Sequence, residues 1–298
     1  MVVEEGDLVA LAAAVGWAGT TVLARYISRA IPVMWYNAMR IGVASVAMLL
    51  AAPWTMASFK LGAVSPFALG MLLFTVLAGF AVGDTAFFEA MRRIGVARAA
   101  PIAGSHPLVT AVLAVAFLGE PVTLVLMFGV VVIGVGVWLI TTDNATTGLA
   151  RGPGSTLVVG AVLALVAAVG WAASTVMVRP ALAEIDPIAA STIRLPFATL
   201  VLVVAAWRLR RFDNRTFELR GRTLAWLAFA GLMTVVSATL FLWSVEVAGA
   251  ARTAALSSVS PIFSASMAVL LLGERMTLRL ALGMGVSLCG VLGIVLLH

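Results

Sequence analysis

Two arginines lie deep inside long apolar runs. Arg40 stands seven residues into Val33–Ala51, and Arg194 holds the matching place in Ile188–Trp207. At roughly 1.5 Å per helical residue, Arg40 is about 10 Å from the nearer end of its run. Ionisable groups at such depth are costly in lipid, so each is a functional candidate by default. Asn37 precedes Arg40 by three residues and Ser191 precedes Arg194 by three, so each pair shares a helix face. A guanidinium reachable from each side of a bilayer is what alternating access to an anionic or zwitterionic substrate would use. The competing reading is an internal ion pair. Asp84, near the end of a third run, lies at about the level of Arg40 and would neutralise it, whereas the matching residue in the second half is Ala238, which leaves Arg194 without an equivalent partner.

His106 is the most central titratable group, and its counterpart is Ser260. A central imidazole could carry a coupling proton, because small environmental shifts move its pKa across neutral pH. Asp84 is the second proton-coupling candidate. For His106 the alternative is a neutral, hydrogen-bonded ring. Trp17 and Trp171 fall mid-run, away from the headgroup belt where Trp usually sits. Thr20 and Thr21, matched by Ser174 and Thr175, lie one turn on. A Trp over a cavity with Thr21 or Thr175 beside it would grip an organic molecule; core packing is the other account. Glu89 and Glu246 fall at helix ends near arginines or water and read as solvated.

Proline and small polar residues interrupt two runs: Pro101, Gly104 and Pro107 in one, Ser257, Ser258, Ser260 and Pro261 in the other. Proline removes a backbone donor, and the freed carbonyls need other partners. Such breaks are tolerated in membranes where they face a cavity or other protein, which places a cavity wall here; a simple kink with Ser hydroxyls bonding their own backbone is the alternative. Gly104-Ser105-His106 is no hydrolase motif, since neighbours on a helix point apart and no G-x-S-x-G elbow is present. No metal motif, P-loop or dinucleotide fingerprint occurs, so no cofactor, no enzyme activity and no self-contained ATP-driven pump are expected.

The elements that position these residues come in two copies. AAVGWAGTTVLAR at Ala13–Arg25 returns as AAVGWAASTVMVR at Ala167–Arg179, with 9 of 13 positions identical at an offset of 154 residues. The same offset maps Arg40 onto Arg194, Gly95 onto Gly249, Arg98 onto Arg252, Pro107 onto Pro261 and Gly119-Glu120 onto Gly273-Glu274. Each half carries five apolar runs long enough to span a bilayer core, which takes about 20 residues. They are Leu8–Tyr26, Val33–Ala51, Phe67–Phe88, Val96–Leu118 and Leu124–Thr141, then Thr156–Val178, Ile188–Trp207, Leu224–Val245, Ala251–Leu272 and Leu278–Leu297. The domains are therefore 8–141 and 156–297, joined by a Gly-, Asn- and Thr-rich linker at 142–155.

Five is odd, so the second copy must run with opposite orientation. The expected fold is all-α integral membrane: ten transmembrane helices as two inverted five-helix repeats about a pseudo-two-fold axis in the membrane plane. This is the recurrent architecture of secondary transporters, with the substrate near the midplane. The composition agrees. The chain of 298 residues is 62% hydrophobic and 11% charged, against roughly 25% charged for a soluble protein. The single cysteine, Cys289, excludes a disulfide framework. The start, MVVEEGD, lacks the basic residues of a cleavable signal, so the first run is expected to stay as a helix. The net charge of +6 is not read as a nucleic-acid signal, because six arginines fall in one loop, Arg208 to Arg222. That loop, with Arg29, Arg92, Arg93, Arg151, Arg275 and Arg279 against little more than Lys60 and Arg179 opposite, puts both termini outside by the positive-inside rule. Gly129, Gly134, Gly136, Gly283, Gly285, Gly290 and Gly293 let helices approach closely, within the chain or in a homodimer.

GVARAAPIAGSHPLVTAVLAVAFLGEPVT at Gly95–Thr123 and GAARTAALSSVSPIFSASMAVLLLGERMT at Gly249–Thr277 resemble the signature of the drug/metabolite transporter superfamily, EamA type. The pattern, G-x-A-R-A and then P with an apolar run ending L-G-E-x-x-T, occurs twice in register. The resemblance implies a ten-helix bundle of two EamA domains in the plasma (inner) membrane, often an exporter, whose relatives are associated with amino acids, nucleosides, sugar phosphates or drugs. Cation-carrying multidrug members resemble one another in a membrane-embedded Glu in the first span, and none stands between Leu8 and Tyr26. Relatives are often drawn with both termini inside; the arginine count here puts them outside. The expected function is export of a small anionic or zwitterionic metabolite such as an amino acid, with Arg40 and Arg194 orienting a carboxylate. A lipid or lipid-linked sugar flippase and a cationic drug exporter are the alternatives.

Overall fold

The computed structural model describes residues 4–27, 31–55, 64–94, 99, 102–121, 123–141, 154–209, 221–272 and 277–297. Gly95, Arg98, Pro101, Gly273, Glu274, Arg29, Lys60, Arg151, Arg275, the arginines between 210 and 220, and linker positions 142–153 lie outside the described residues, as does the side chain of Arg92.

With no water in the bilayer core, a spanning segment must satisfy its own backbone, which leaves a helix as the solution for these runs. The described residues form α1 (Glu5–Ile27), α2 (Val33–Thr55), α3 (Pro66–Thr75), a π-helical segment (Val76–Asp84), α4 (Thr85–Ile94), α5 (His106–Leu118), α6 (Leu124–Thr141), α7 (Gly154–Leu182), α8 (Pro187–Leu209), α9 (Gly221–Ala248), α10 (Ala250–Ser257), α11 (Ser260–Leu272) and α12 (Leu278–Leu297). Among them, seven continuous helices are long and apolar enough to cross a membrane, and α5 and α6 are shorter apolar helices. The ten spans are α1, α2, the α3–π–α4 rod, α5 with residues 102–105 before it, α6, α7, α8, α9, the α10–α11 pair and α12.

The third span departs from the plain apolar helix that its composition suggests, because its middle nine residues are π-helical. At this level α7 and the third span meet backbone to backbone: a Cβ on Gly170 would stand 2.6 Å from the Ala78 carbonyl oxygen. Gly79 and Gly83 make room for Ser174 and Trp171 of α7, since a Cβ on either would come within 2.7 Å of those side chains. The Ser174 hydroxyl donates to the Thr75 carbonyl at 2.9 Å, supplying a cross-helix partner at the α-to-π junction.

The fourth and ninth spans are both interrupted, at repeat-related places. A turn at Gly104–Ser105 precedes α5, and a turn at Ser258–Val259 separates α10 from α11. Ser105, Ser257 and Ser258 donate to the carbonyls of Ile102, Ala254 and Ala255 at 2.7, 3.2 and 2.7 Å. At these breaks the serine hydroxyls bond their own backbone.

The two halves interlock. α1 packs along α9 and α11, and α7 packs along the third span and α5, the same arrangement with the halves exchanged. α2 packs on α8 and α6 on α12, each helix against its own counterpart. The buried cluster of Ala38, Ile41, Ala44 and Met48 with Leu195, Ala198 and Leu202 fills the first of these seams. In the second, a Cβ on Gly290 would lie 2.8 Å from Ile133 Cγ1 and 2.9 Å from the Gly129 carbonyl, so small residues set the approach. Gly134, Gly285 and Gly293 have no atom within 4 Å of a Cβ position and take no part in this contact. Large apolar side chains such as Trp54, Phe128 and Leu200 cover the outside, as a lipid-facing surface requires.

Gly290→Leu is expected to lower the unfolding temperature of the detergent-solubilised protein by several degrees, through about 1–3 kcal/mol of overpacking. Gly134→Leu is expected to leave it unchanged.

Candidate functional site

The first, third and eighth spans converge on Arg40 of the second. Its Nη2 donates to Asn37 Oδ1 at 2.6 Å, as expected for residues three apart on one helix face. Its Nη1 donates to Thr234 Oγ1 on α9 at 3.1 Å. Asp84, the last residue of the π segment, places Oδ2 3.9 Å from Arg40 Nη2 and accepts from Asn37 Nδ2 at 3.3 Å. The other Asp84 oxygen accepts from the Trp171 indole N–H at 2.9 Å. Arg40 also stands over the Trp17 ring, 5.9 Å from its centroid. Trp171 is held between Phe87 (centroids 5.0 Å apart) and the edge of His106 (5.9 Å, 85°). The result is one chain of contacts, Trp17–Arg40–Asn37–Asp84–Trp171–His106, built from both halves.

Arg194 has a different environment. It is buried, at 8% exposure. Its Nη2 donates to Ser174 Oγ at 3.4 Å and its guanidinium lies 5.7 Å from the Phe80 ring. Its Nε has no hydrogen-bond partner, and among the described residues no carboxylate lies within ion-pair distance of it. Ser174 is three residues past Trp171 and Phe80 four before Asp84, so Arg194 sits about one helical turn from the Asp84 cluster, on the same two elements. Arg40 meets Thr234 across the halves, and Arg194 meets Phe80, the residue related to Thr234 by the repeat. The one charged difference is Asp84 against Ala238.

The remaining sequence candidates are spread more widely. Ser191 Oγ accepts from Thr239 Oγ1 at 3.1 Å, which ties α8 to α9. Thr21 and Thr175 each donate to the carbonyl one turn back, those of Trp17 and Trp171, at 2.9 Å. Thr21 is exposed and is not brought into the cluster, because its hydroxyl closes on its own helix. His106 Nδ1 is buried without a hydrogen-bond partner. No group of three or more His, Cys, Asp or Glu side chains is placed to hold a metal among the described residues.

The structure also gives the signature residues physical roles that single-span reading misses. Gly119 ends α5 in the left-handed region at φ 64°, where glycine carries no Cβ penalty. Glu120 then crosses to the other half: its carboxylate accepts from the Ala250 and Ala251 N–H groups at 3.0 and 3.2 Å and lies 3.5 Å from Arg179 Nη1. It therefore caps α10, where the helix dipole favours an anion. Gly249, at φ 85°, leaves space for that carboxylate. Thr123 and Thr277 cap α6 and α12 by accepting from Leu126 and Leu280 N–H at 3.2 and 3.1 Å. Arg252 grips Asp7 of α1 in two-pronged fashion, at 2.6 and 2.7 Å. Asp7 has no exposed surface. Pairs of this kind resist dissection, because removing one partner strands a buried charge. Asp7→Asn is expected to lower the unfolding temperature by more than Glu184→Gln, whose exposed carboxylate accepts from Ser65; thermal unfolding of both variants checks this.

Comparison with known proteins follows the same lines. A 222-residue stretch is 23% identical to a protein named an uncharacterized transporter from Archaeoglobus fulgidus, covering 74% of each chain. A second match, to the uncharacterized transporter YvbV of Bacillus subtilis, is 29% identical over 139 residues, 47% of this chain and 45% of that one. A solved crystal structure superposes with a TM-score of 0.83 over 99% of this chain and 97% of the other at 17% identity, which shows a shared fold. The EamA-like transporter family matches residues 5–142 and 158–296, one match per half, and the chain is a multi-pass membrane protein that belongs to that family.

Proposed function

We propose that this transporter moves a small anionic or zwitterionic metabolite, such as an amino acid, outward across the plasma membrane, and that Arg194 takes its carboxylate. The observation that carries this is the buried Arg194 guanidinium, with an unpartnered Nε and no acid beside it among the described residues. A guanidinium taken out of water costs several kcal/mol unless a counter-charge and hydrogen bonds repay it. A transported anion would supply both, and its planar carboxylate suits the forked donors of Arg. Arg40 already has Asp84, so it serves as the paired partner of the site. Trp17 and Trp171 flank it, and Asp84 or His106 would couple protons to the cycle.

One observation favours a second reading, a lipid or lipid-linked sugar flippase. An apolar cleft of about 510 Å³ opens beside α2 and α9, lined by Met39, Gly42, Val43, Val46, Leu224 and Leu227. It lies next to Arg40 in sequence and would admit an acyl chain. A flippase would be indifferent to soluble metabolites.

Thermal unfolding against amino acids, organic acids, nucleosides, sugar phosphates and cationic drugs separates these readings, because a ligand that binds the folded state alone raises its stability. Stabilisation by carboxylates is expected, lost in Arg194→Ala together with flux into proteoliposomes. Stabilisation by cations alone would overturn the arginine assignment, and silence toward every soluble solute alongside lipid flipping would replace the reading with the second one.

A further inference from the structure

Asp84 touches three groups: the Arg40 guanidinium, the Asn37 amide and the Trp171 indole N–H. The 154-residue repeat assigns each a counterpart, namely Arg194, Ser191 and Trp17. The elements that carry them correspond: α8 packs on α9, α2 touches the α4 part of the third span, and α1 packs on α9 as α7 packs on the third span. Close contacts follow the same rule: Gly170 abuts Gly83, and its counterpart Gly16 abuts Ser237. Three hydrogen-bond donors are thus repeated, and the acceptor between them is not. Where the first half has Asp84, the second has the methyl group of Ala238, itself buried at 7% exposure.

We infer that the place left open by Ala238 is the carboxylate subsite, and that Asp84 shows within the same molecule how a substrate carboxylate is held. This deepens the proposed function and rests on it. The carboxylate stands against Arg194 and takes further donors from the Ser191 hydroxyl and the Trp17 indole. Ser191 accepts from Thr239 and has its own hydrogen still to give. Asp84 approaches Arg40 through Nη2 and leaves the Arg40 Nε without a partner; the more than nine-tenths buried Arg194 has an unpartnered Nε as well, and among the described residues it has no carboxylate at all. Ala238 is then the specificity-determining position: an acid there would occupy the subsite from within, as Asp84 does beside Arg40. A pair of pseudo-symmetric arginines, one neutralised by the chain and one left for cargo, gives a site that accepts one anion at a time.

The test is a double-mutant cycle between positions 238 and 194, read by thermal unfolding with and without pyruvate, lactate or L-alanine, each compared with its amide. Ala238→Asp is expected to unfold a few degrees above Ala238→Asn when Arg194 is present and below it in the Arg194→Gln background. It is also expected to weaken carboxylate binding by about tenfold or more, because two like charges would compete for one guanidinium. An equal shift with and without Arg194 would show that the two positions do not meet and would overturn the inference. Should Ala238→Asp fail to fold, Asp84→Ala creates the same opening beside Arg40. It is expected to add a carboxylate response that survives Arg194→Gln, and the absence of that response overturns the inference equally. If the unsubstituted protein ignores all three carboxylates, the proposed function fails and the ligand assignment falls with it, while the ligand-free cycle still reports whether position 238 faces Arg194.

Discussion

Every backbone and side-chain polar group in the membrane interior of this chain must find its partner within the chain or in what the chain carries. Water does not compete there, and an unmet donor or acceptor is expensive. The helical spans, the serines that bond their own carbonyls at the two interrupted spans, and the Ser174 bond at the start of the π segment all answer that constraint. So do the Thr caps on α6 and α12. Against this background, the buried unpartnered nitrogens among the described residues are Arg40 Nε, His106 Nδ1 and Arg194 Nε, and all three lie in or beside the arginine cluster, which is where a function is best sought.

Much of this was legible in the sequence because the chain is written twice. The repeat offset, the odd number of spans and the two arginines are one-dimensional facts, and so is the substitution of Ala238 for Asp84. The Asn37–Arg40 contact is likewise local, three residues apart. The π segment was not legible, since its residues are as apolar as those of any span. The Gly170 backbone is pressed against Ala78 within it, a contact made by a distant stretch of chain. The Arg252–Asp7 grip, across 245 residues, and the Glu120 cap, across 130, were hidden for the same reason. Hydropathy says which segments enter the membrane but not which helix end will meet which carboxylate.

The signature that marks the family turns out to be largely mechanical. Gly119 reverses the chain, Glu120 caps a helix of the other half, Thr123 starts the next helix and Gly249 makes room. None of these touches the arginine cluster. The residues that hold the halves together are thus separate from the arginine cluster.

The crossing of Glu120 has a consequence for how the protein is made. Its carboxylate caps the N-terminal end of α10, which is synthesised 130 residues later. When the first five spans have left the ribosome, that carboxylate has no helix to cap, and Asp7 still waits for Arg252. Both contacts can therefore form only once the ninth span has been made. A chain halted between the halves leaves Glu120 and Asp7 without these two partners.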